Sequence, residues 1–449
     1  MHLSAPPARA AGGERIGIVG GGMLGMTLAL RLAERGRHVT LIESGSELGG
    51  LAAAWQIGEV RWDRHYHVTL ASDARLRALL RDLGLESEIR WTLAQTGFYT
   101  DGRFYSMNNL VEFLRFPPLG IVDKLRLGLT IAYASRITDP ERLESTDVES
   151  WLRRLSGNRT FERIWRPLLR AKLGERYRDA SAAFIWAIIV RLYAARRAGL
   201  GAERFGYVPG GYARIIERFA ARLENAGVDT LLGTRVASVR RQEDRIVVET
   251  TAGEQTFERV VVTANARIAA RLCPQLDDDE RSRLDDKVYG GIVCASLVLD
   301  RPLGPFYVTN ITDEWVPFSA VIDMSAIVER REFGGAALAY LPKYVAPDDA
   351  LFALDDASIE TSFLAALERM YADFSPARVR AFRVSRVREV FALATPGYSK
   401  RLPPIATSVP GLYLVTSAHI VNATLNVNQT VGLAERALEI VDAPAPVRR

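Results

Sequence analysis

The chain has 449 residues, 48% of them hydrophobic and 25% charged, the balance of a globular protein long enough for two or more domains. Its 58 Lys and Arg against 53 Asp and Glu leave a net charge of +5 spread along the sequence, which argues against nucleic acid as a partner. Two cysteines, Cys273 and Cys294, in no CxxC pattern argue against a disulfide framework or a zinc site, so no metal and a reducing, cytoplasmic setting are expected.

Residues 1–14, rich in Ala, Pro and Gly and without an apolar stretch, read as a disordered tail rather than a signal peptide. Arg15–Val19 is a short run with β-branched residues, Met23–Glu34 carries apolar residues at helical spacing with Gly36 to end it, and His38–Ile42 is a second strand. This βαβ unit predicts a parallel sheet with helices on its faces. Residues 72–200 read as mainly helical, with loops at Pro117-Pro118 and Asp139-Pro140. The apolar patch 182–195 includes Arg191 and fits a buried or interfacial helix, and no run reaches the roughly 18–20 apolar residues that span a bilayer. An amphipathic helix over 212–226 leads to strands over 229–232, 236–240, 246–250 and 259–263. Strands are expected over 292–299, 336–341 and 411–415, and helices over 354–374 and 428–441. No clean linker divides the chain, so its domains are expected to interleave.

Gly20, Gly22 and Gly25, with Met23 and Leu24 between the last two, form a G-x-G-x-x-G pattern between the first strand and helix. The first glycine allows a tight turn, the second lets a pyrophosphate approach the backbone, and the third lets helix and strand pack closely. The helix start offers unpaired N–H groups to phosphate. Glu43, 18 residues beyond Gly25 and beside Ser44, ends the second strand where a carboxylate can accept from a ribose diol. These features predict a dinucleotide without choosing between NAD and FAD.

The choice comes from Glu47-Leu48-Gly49-Gly50-Leu51, two further glycines just past the ribose acid. The pattern resembles the superfamily of FAD-dependent amine oxidases, protoporphyrinogen oxidases and phytoene desaturases, which also includes UDP-galactopyranose mutase. Leu51 stands where amine oxidases proper often have Arg. The resemblance continues in Tyr207-Val208-Pro209-Gly210-Gly211, in Gly233-Thr234-Arg235-Val236, in 260–265 and in 411–415. The segment 165–172 resembles the protoporphyrinogen-oxidase-like bacterial branch. Thr416-Ser417-Ala418-His419 departs from the Gly-Asp or Gly-Glu usual after the last strand.

The resemblance implies an α/β fold, a Rossmann-type FAD-binding domain with an interleaved α+β substrate domain. The cofactor domain would comprise 14–72, 206–272 and 400–442, and the substrate domain, with its helical insertion, 73–205 and 273–399. Gly20, Gly22, Met23, Leu24, Gly25, Glu43, Ser44, Gly49, Gly50, Leu51, Val236, Ala264 and Asn428 would contact FAD. Neither cysteine occupies the family's position for a covalent flavin bond, so FAD is expected to be non-covalent.

Catalytic candidates are His65, His67 and Lys172. The histidines follow the first cofactor segment within Asp63-Arg64-His65-Tyr66-His67, and an extended segment would put both on one face. Local hydrogen bonding is an equal account of them. Lys172 is either a base acting through water or a surface helix lysine, the plainer expectation. Phe98, Tyr99 and Tyr105 are either pocket walls or core aromatics, with core the simpler reading. The expected function is FAD-dependent hydride removal from a C–H or C–N bond of an apolar or lipid-like small molecule, with peripheral membrane contact. Two alternatives stand beside it: a non-redox isomerase or mutase, and a flavoprotein kept as a binding partner.

Overall fold

In the computed structural model, residues 14–106, 108, 110–198 and 204–444 are described; the tail expected over 1–14 lies outside them except for Glu14. Strands Arg15–Val19 and His38–Ile42 pair in parallel across the helix Met23–Glu34, as the βαβ reading requires. Asp229–Leu231 adds beyond His38–Ile42, while Arg259–Val262 and then Leu412–Leu414 add on the other side of Arg15–Val19. All five strands run parallel, and the inner ones are buried runs of Ile, Val and Leu, as expected when both faces are covered. One face carries Met23–Glu34, Gly211–Asn225 and Val427–Val441, whose apolar sides share a core with Leu76, Leu79 and Leu80. The other is covered by the antiparallel strands Val236–Gln242, Arg245–Thr250 and Gly253–Phe257 and the helix Ala266–Leu272.

A second, seven-stranded sheet is built around Tyr289–Leu299, flanked by Ala337–Val345 and the long strand Val379–Ala392. Its far edge is the hairpin Thr96–Thr100 and Arg103–Ser106. These strands, and Arg90–Leu93, add to a stretch 72–200 that is otherwise mainly helical, as expected. Aromatic and β-branched residues dominate them, and Asp101 and Gly102, both at positive φ (51° and 72°), make the tight turn that joins the hairpin. Beyond the hairpin the chain is helical, from Leu110–Arg115 and Ile121–Ala134 through to Ala182–Ala198. In the last of these, Ala182, Ala183, Phe184, Ile185, Ala187 and Ile189 are buried, so its first turns form a core helix.

Candidate functional site

Two glycine loops meet above the parallel sheet. Gly49 N donates to Gly21 O at 2.8 Å, and Gly22 and Gly49 form an isolated parallel bridge. Gly25 has no room for a side chain, because a Cβ there would lie 1.9 Å from Gly20 O. Gly49, at φ 111°, would drive a Cβ to 2.4 Å from Ile216. Gly22 differs: it has an ordinary φ of −74°, and the nearest atom to its added Cβ is Gly50 Cα at 4.0 Å. The open side of the crossing is therefore at Gly22, beside the start of Met23–Glu34, whose first turn holds no acid. The side chains of Met23 and Leu24 are buried, so only their backbone faces this end of the helix.

Glu43 closes the cradle. Its Oε2 accepts from Gly21 N at 2.6 Å and its Oε1 from Gly45 N at 2.7 Å and Ser44 Oγ at 3.2 Å, which leaves Oε2 a further lone pair. Thr234 N donates to Glu43 O at 2.9 Å, which ties the approach to Val236 to the same strand end. Ser44, Gly50 and Leu51 are exposed around it, Val236 and Ala264 half-buried. A helix N-terminus, a loop crossing open at Gly22 and a carboxylate at the strand end suit the pyrophosphate and ribose of a dinucleotide. The donor set fits FAD.

Asn428 has a structural task of its own. Its Oδ1 accepts from Arg75 N and Leu76 N at 3.0 and 3.1 Å, capping the helix Ala74–Asp82, while Asn426 caps its own helix by accepting from Gln429 N. Its Oδ1 thus joins two helices.

The 63–67 segment leaves the strand Val60–Asp63 beside the cradle. Asp63 is buried and accepts from Tyr212 N at 2.8 Å, fixing the start of Gly211–Asn225, while the Tyr340 hydroxyl donates to its carbonyl. His65 bridges two elements, with Nδ1 3.3 Å from Leu51 O and Nε2 3.1 Å from Ser385 Oγ. Burial pulls its pKa from 6.5 to about 4, so it is a neutral group. His67 instead packs on Tyr212, ring centres 4.7 Å apart, with Nδ1 3.7 Å from Asp63 Oδ2. That nitrogen is buried and has no hydrogen-bond partner among the described residues. The two histidines therefore have different partners, because 64–68 is irregular rather than an extended strand.

Tyr66, between them, was not a candidate, yet its hydroxyl meets that of Tyr344 at 2.6 Å. Tyr344 leads to Lys172, whose Nζ lies 3.7 Å from the Tyr344 ring centre and 5.5 Å from that of Phe391. Lys172 rides on Arg166–Leu173 and is half-buried, which corrects the surface expectation. Burial lowers its pKa from 10.5 to about 7, and pushes that of Tyr66 up to about 12 and that of Tyr344 upward. The small cavity beside Lys172 is lined by Leu173, Arg176, Val288, Val345, Phe391 and other residues. The signal available for this cluster was the pair Tyr340 and Tyr344, four residues apart on one strand and so on the same face.

Phe98 and Tyr105 pack against Phe116, with ring centres 5.8 and 5.5 Å apart, and Tyr99 packs against Phe104 at 4.9 Å on the opposite side of its strand. All three sit among core aromatics. Cys273 and Cys294 are free and buried.

The family model for flavin containing amine oxidoreductases matches residues 24–426. Protoporphyrinogen oxidase 2 of Arabidopsis thaliana is 32% identical over 91 residues, only 20% of this chain and 18% of that protein. The 15-cis-phytoene desaturase of Narcissus pseudonarcissus is 22% identical over 430 residues, 90% of this chain and 75% of that one. Among solved structures, reduced UDP-galactopyranose mutase superposes with a TM-score of 0.74 at 15% identity, covering 95% of both chains, which establishes the shared fold. The two glycine loops, Glu43 and a match across most of the sequence agree: the chain belongs to the flavin-containing amine oxidoreductases, an FAD-dependent oxidoreductase on an α/β Rossmann-type fold.

Proposed function

We propose that this enzyme takes a hydride from a C–H or C–N bond of an apolar, lipid-like small molecule, with FAD held non-covalently. The observation that carries the reading is the enclosure of Lys172: an amine with a pKa near 7, set on the face of Tyr344 among Leu173, Val288, Val345 and Phe391. An amine that loses its charge near pH 7 among apolar walls suits an uncharged substrate better than an anionic one. FAD, when bound, supplies the hydride acceptor. Removing a hydride leaves a proton to be lost, and Lys172 Nζ is the base we assign to it, directly or through one water. The Tyr66–Tyr344 hydroxyl pair fixes the ring against which Lys172 rests, and the apolar walls limit water.

The mutase alternative needs cations converging on a diphosphate. Among the described residues lining this cavity, Arg176 is the one charged side chain besides Lys172, so the apolar reading is preferred. Three cofactor segments, 14–72, 206–272 and 400–442, and substrate segments 73–205 and 273–399 belong to the same proposal. It is supported by a parallel sheet drawn from the first set and a seven-stranded sheet drawn from the second. A cytoplasmic setting is supported by the two free thiols. Among the described residues no helix is long and apolar enough to cross a membrane.

The test is anaerobic mixing of the purified holoenzyme with lipids, amines and nucleotide sugars while the flavin absorbance is followed. Bleaching by an apolar or lipid substrate is expected. Bleaching by charged amines alone, or turnover of a nucleotide sugar with no electron acceptor consumed, overturns the proposal.

A further inference from the structure

The helix Ile121–Ala134 carries its apolar residues on both sides. Leu127 and Ala134 are buried on one, while on the other Ile121, Val122, Leu125, Leu129 and Tyr133 are 77, 64, 61, 69 and 53% exposed. At about 100° per residue these five side chains fall within an arc of roughly 120° of helix surface. Val111 and Leu114 on the preceding helix, Leu110–Arg115, are 56 and 52% exposed. Single exposed leucines need no explanation, but seven large apolar side chains on two consecutive helices mark a surface that meets a partner.

The charges around this face identify the partner. Arg115, Arg126 and Arg136 are exposed beside it. The nearby acids are engaged within the protein: Glu112 accepts from Asn108 N at 2.8 Å and from Ser106 Oγ at 2.5 Å, and Asp123 lies 3.7 Å from Arg159. An apolar stripe edged by arginines that have no acidic partner among the described residues is complementary to acyl chains beneath anionic headgroups. A helix of 14 residues is too short to cross a bilayer and suited to lie in its surface.

The buried side of the same helix gives the contact a direction. Leu127 and Ala134 belong to an apolar cluster that continues through Trp165 and Leu173 to Phe391, with Tyr344 packed against it. The exposed stripe and the walls around Lys172 are thus opposite ends of one apolar body.

We propose that Ile121, Val122, Leu125, Leu129 and Tyr133, with Val111 and Leu114, seat this enzyme on the surface of an anionic lipid bilayer. The inference holds whatever the substrate, because it rests on the outer face alone.

The test is flotation of the full-length holoenzyme with vesicles of phosphatidylcholine, alone and mixed with phosphatidylglycerol. Binding to the mixed vesicles is expected, weakened by salt and by Arg115→Glu/Arg126→Glu. Leu125→Asp/Leu129→Asp should lower the vesicle-bound fraction roughly tenfold or more with the flavin spectrum kept. Ile121→Ser/Val122→Ser gives an independent check should the first variant lose its flavin. Absence of wild-type binding, or binding that both apolar variants leave unchanged, overturns the proposal. So does a dimer, seen by sedimentation, that these substitutions split while vesicles are ignored; the face would then cover a second copy of the chain.

Discussion

Lys172 Nζ lies 3.7 Å from the centre of the Tyr344 ring, and the Tyr344 hydroxyl lies 2.6 Å from that of Tyr66. Burial lowers the amine to about 7, so it is neutral above that pH and protonated below it. A reaction that uses it as base should therefore speed up as pH rises through about 7. Lys172→Met should keep FAD, slow single-turnover flavin reduction by about 10²-fold or more, and remove the ascending limb. A variant with the wild-type rate and profile would take Lys172 out of the chemistry.

The glycine loops give a sharper pair of outcomes. Gly25→Ala would set a Cβ 1.9 Å from Gly20 O, a backbone atom that cannot swing aside, so the variant should fail to accumulate as folded protein. Gly22→Ala meets nothing nearer than 4.0 Å and has a φ any residue adopts, so the apo-protein should fold with an unchanged melting temperature. The added methyl faces the open side of the crossing and should weaken FAD binding at least about tenfold, a cost of ~1.4 kcal/mol. Isothermal titration of the wild-type and Gly22→Ala apo-proteins checks this; full FAD affinity in Gly22→Ala would mean that the cofactor does not approach there.

The cradle was legible because its signals are local. The tight turn at Gly20, the close packing at Gly25 and the acid at the strand end lie within one βαβ unit, where spacing alone dictates which backbone approaches which. Lys172 was legible as a candidate but its burial was not, because its helix is ordinary in sequence and what buries it comes from Tyr344 and Phe391 on two strands far along the chain. The cap made by Asn428 was not legible for the same reason: its partners are the N–H groups of Arg75 and Leu76, 353 and 352 residues away in sequence. The missed hairpin had a local signal, Asp101-Gly102 between aromatic runs, which the helical patterning around it obscured.

Glu43 has two tasks in this structure, holding Gly21 N and Gly45 N and presenting a carboxylate at the strand end. Glu43→Ala loses both, and at roughly 1.5–3 kcal/mol for each charge-assisted hydrogen bond should weaken FAD binding tenfold or more. Glu43→Gln keeps an acceptor oxygen and an amide in place, so it should fall between Ala and wild type. Equal affinities across the three proteins, measured by flavin fluorescence, would place the ribose elsewhere.

His65 provides a test that needs no substrate. Leu51 O can only accept, so Nδ1 carries the proton of the neutral ring and Nε2 accepts from Ser385 Oγ. Protonating Nε2 would replace that acceptor by a second donor in a buried setting. Desolvation is the largest cause of the lowered pKa, and the charges of His67 and Arg64 push the same way. The folded pKa of about 4 is below the ordinary 6.5, so between these values the unfolded chain binds a proton that the folded one does not. Stability from this group is present above pH 6.5 and is lost as pH falls toward 4. His65→Gln cannot titrate, so in urea unfolding across this window it should lose less stability than wild type, even if it starts from a lower value at neutral pH. Ser385→Ala removes a neutral hydrogen bond and should cost about 1 kcal/mol near pH 7. Parallel stability curves for wild type and His65→Gln would show that the ring ionises as freely in the fold as outside it, and would make His65 available again as a proton donor at neutral pH.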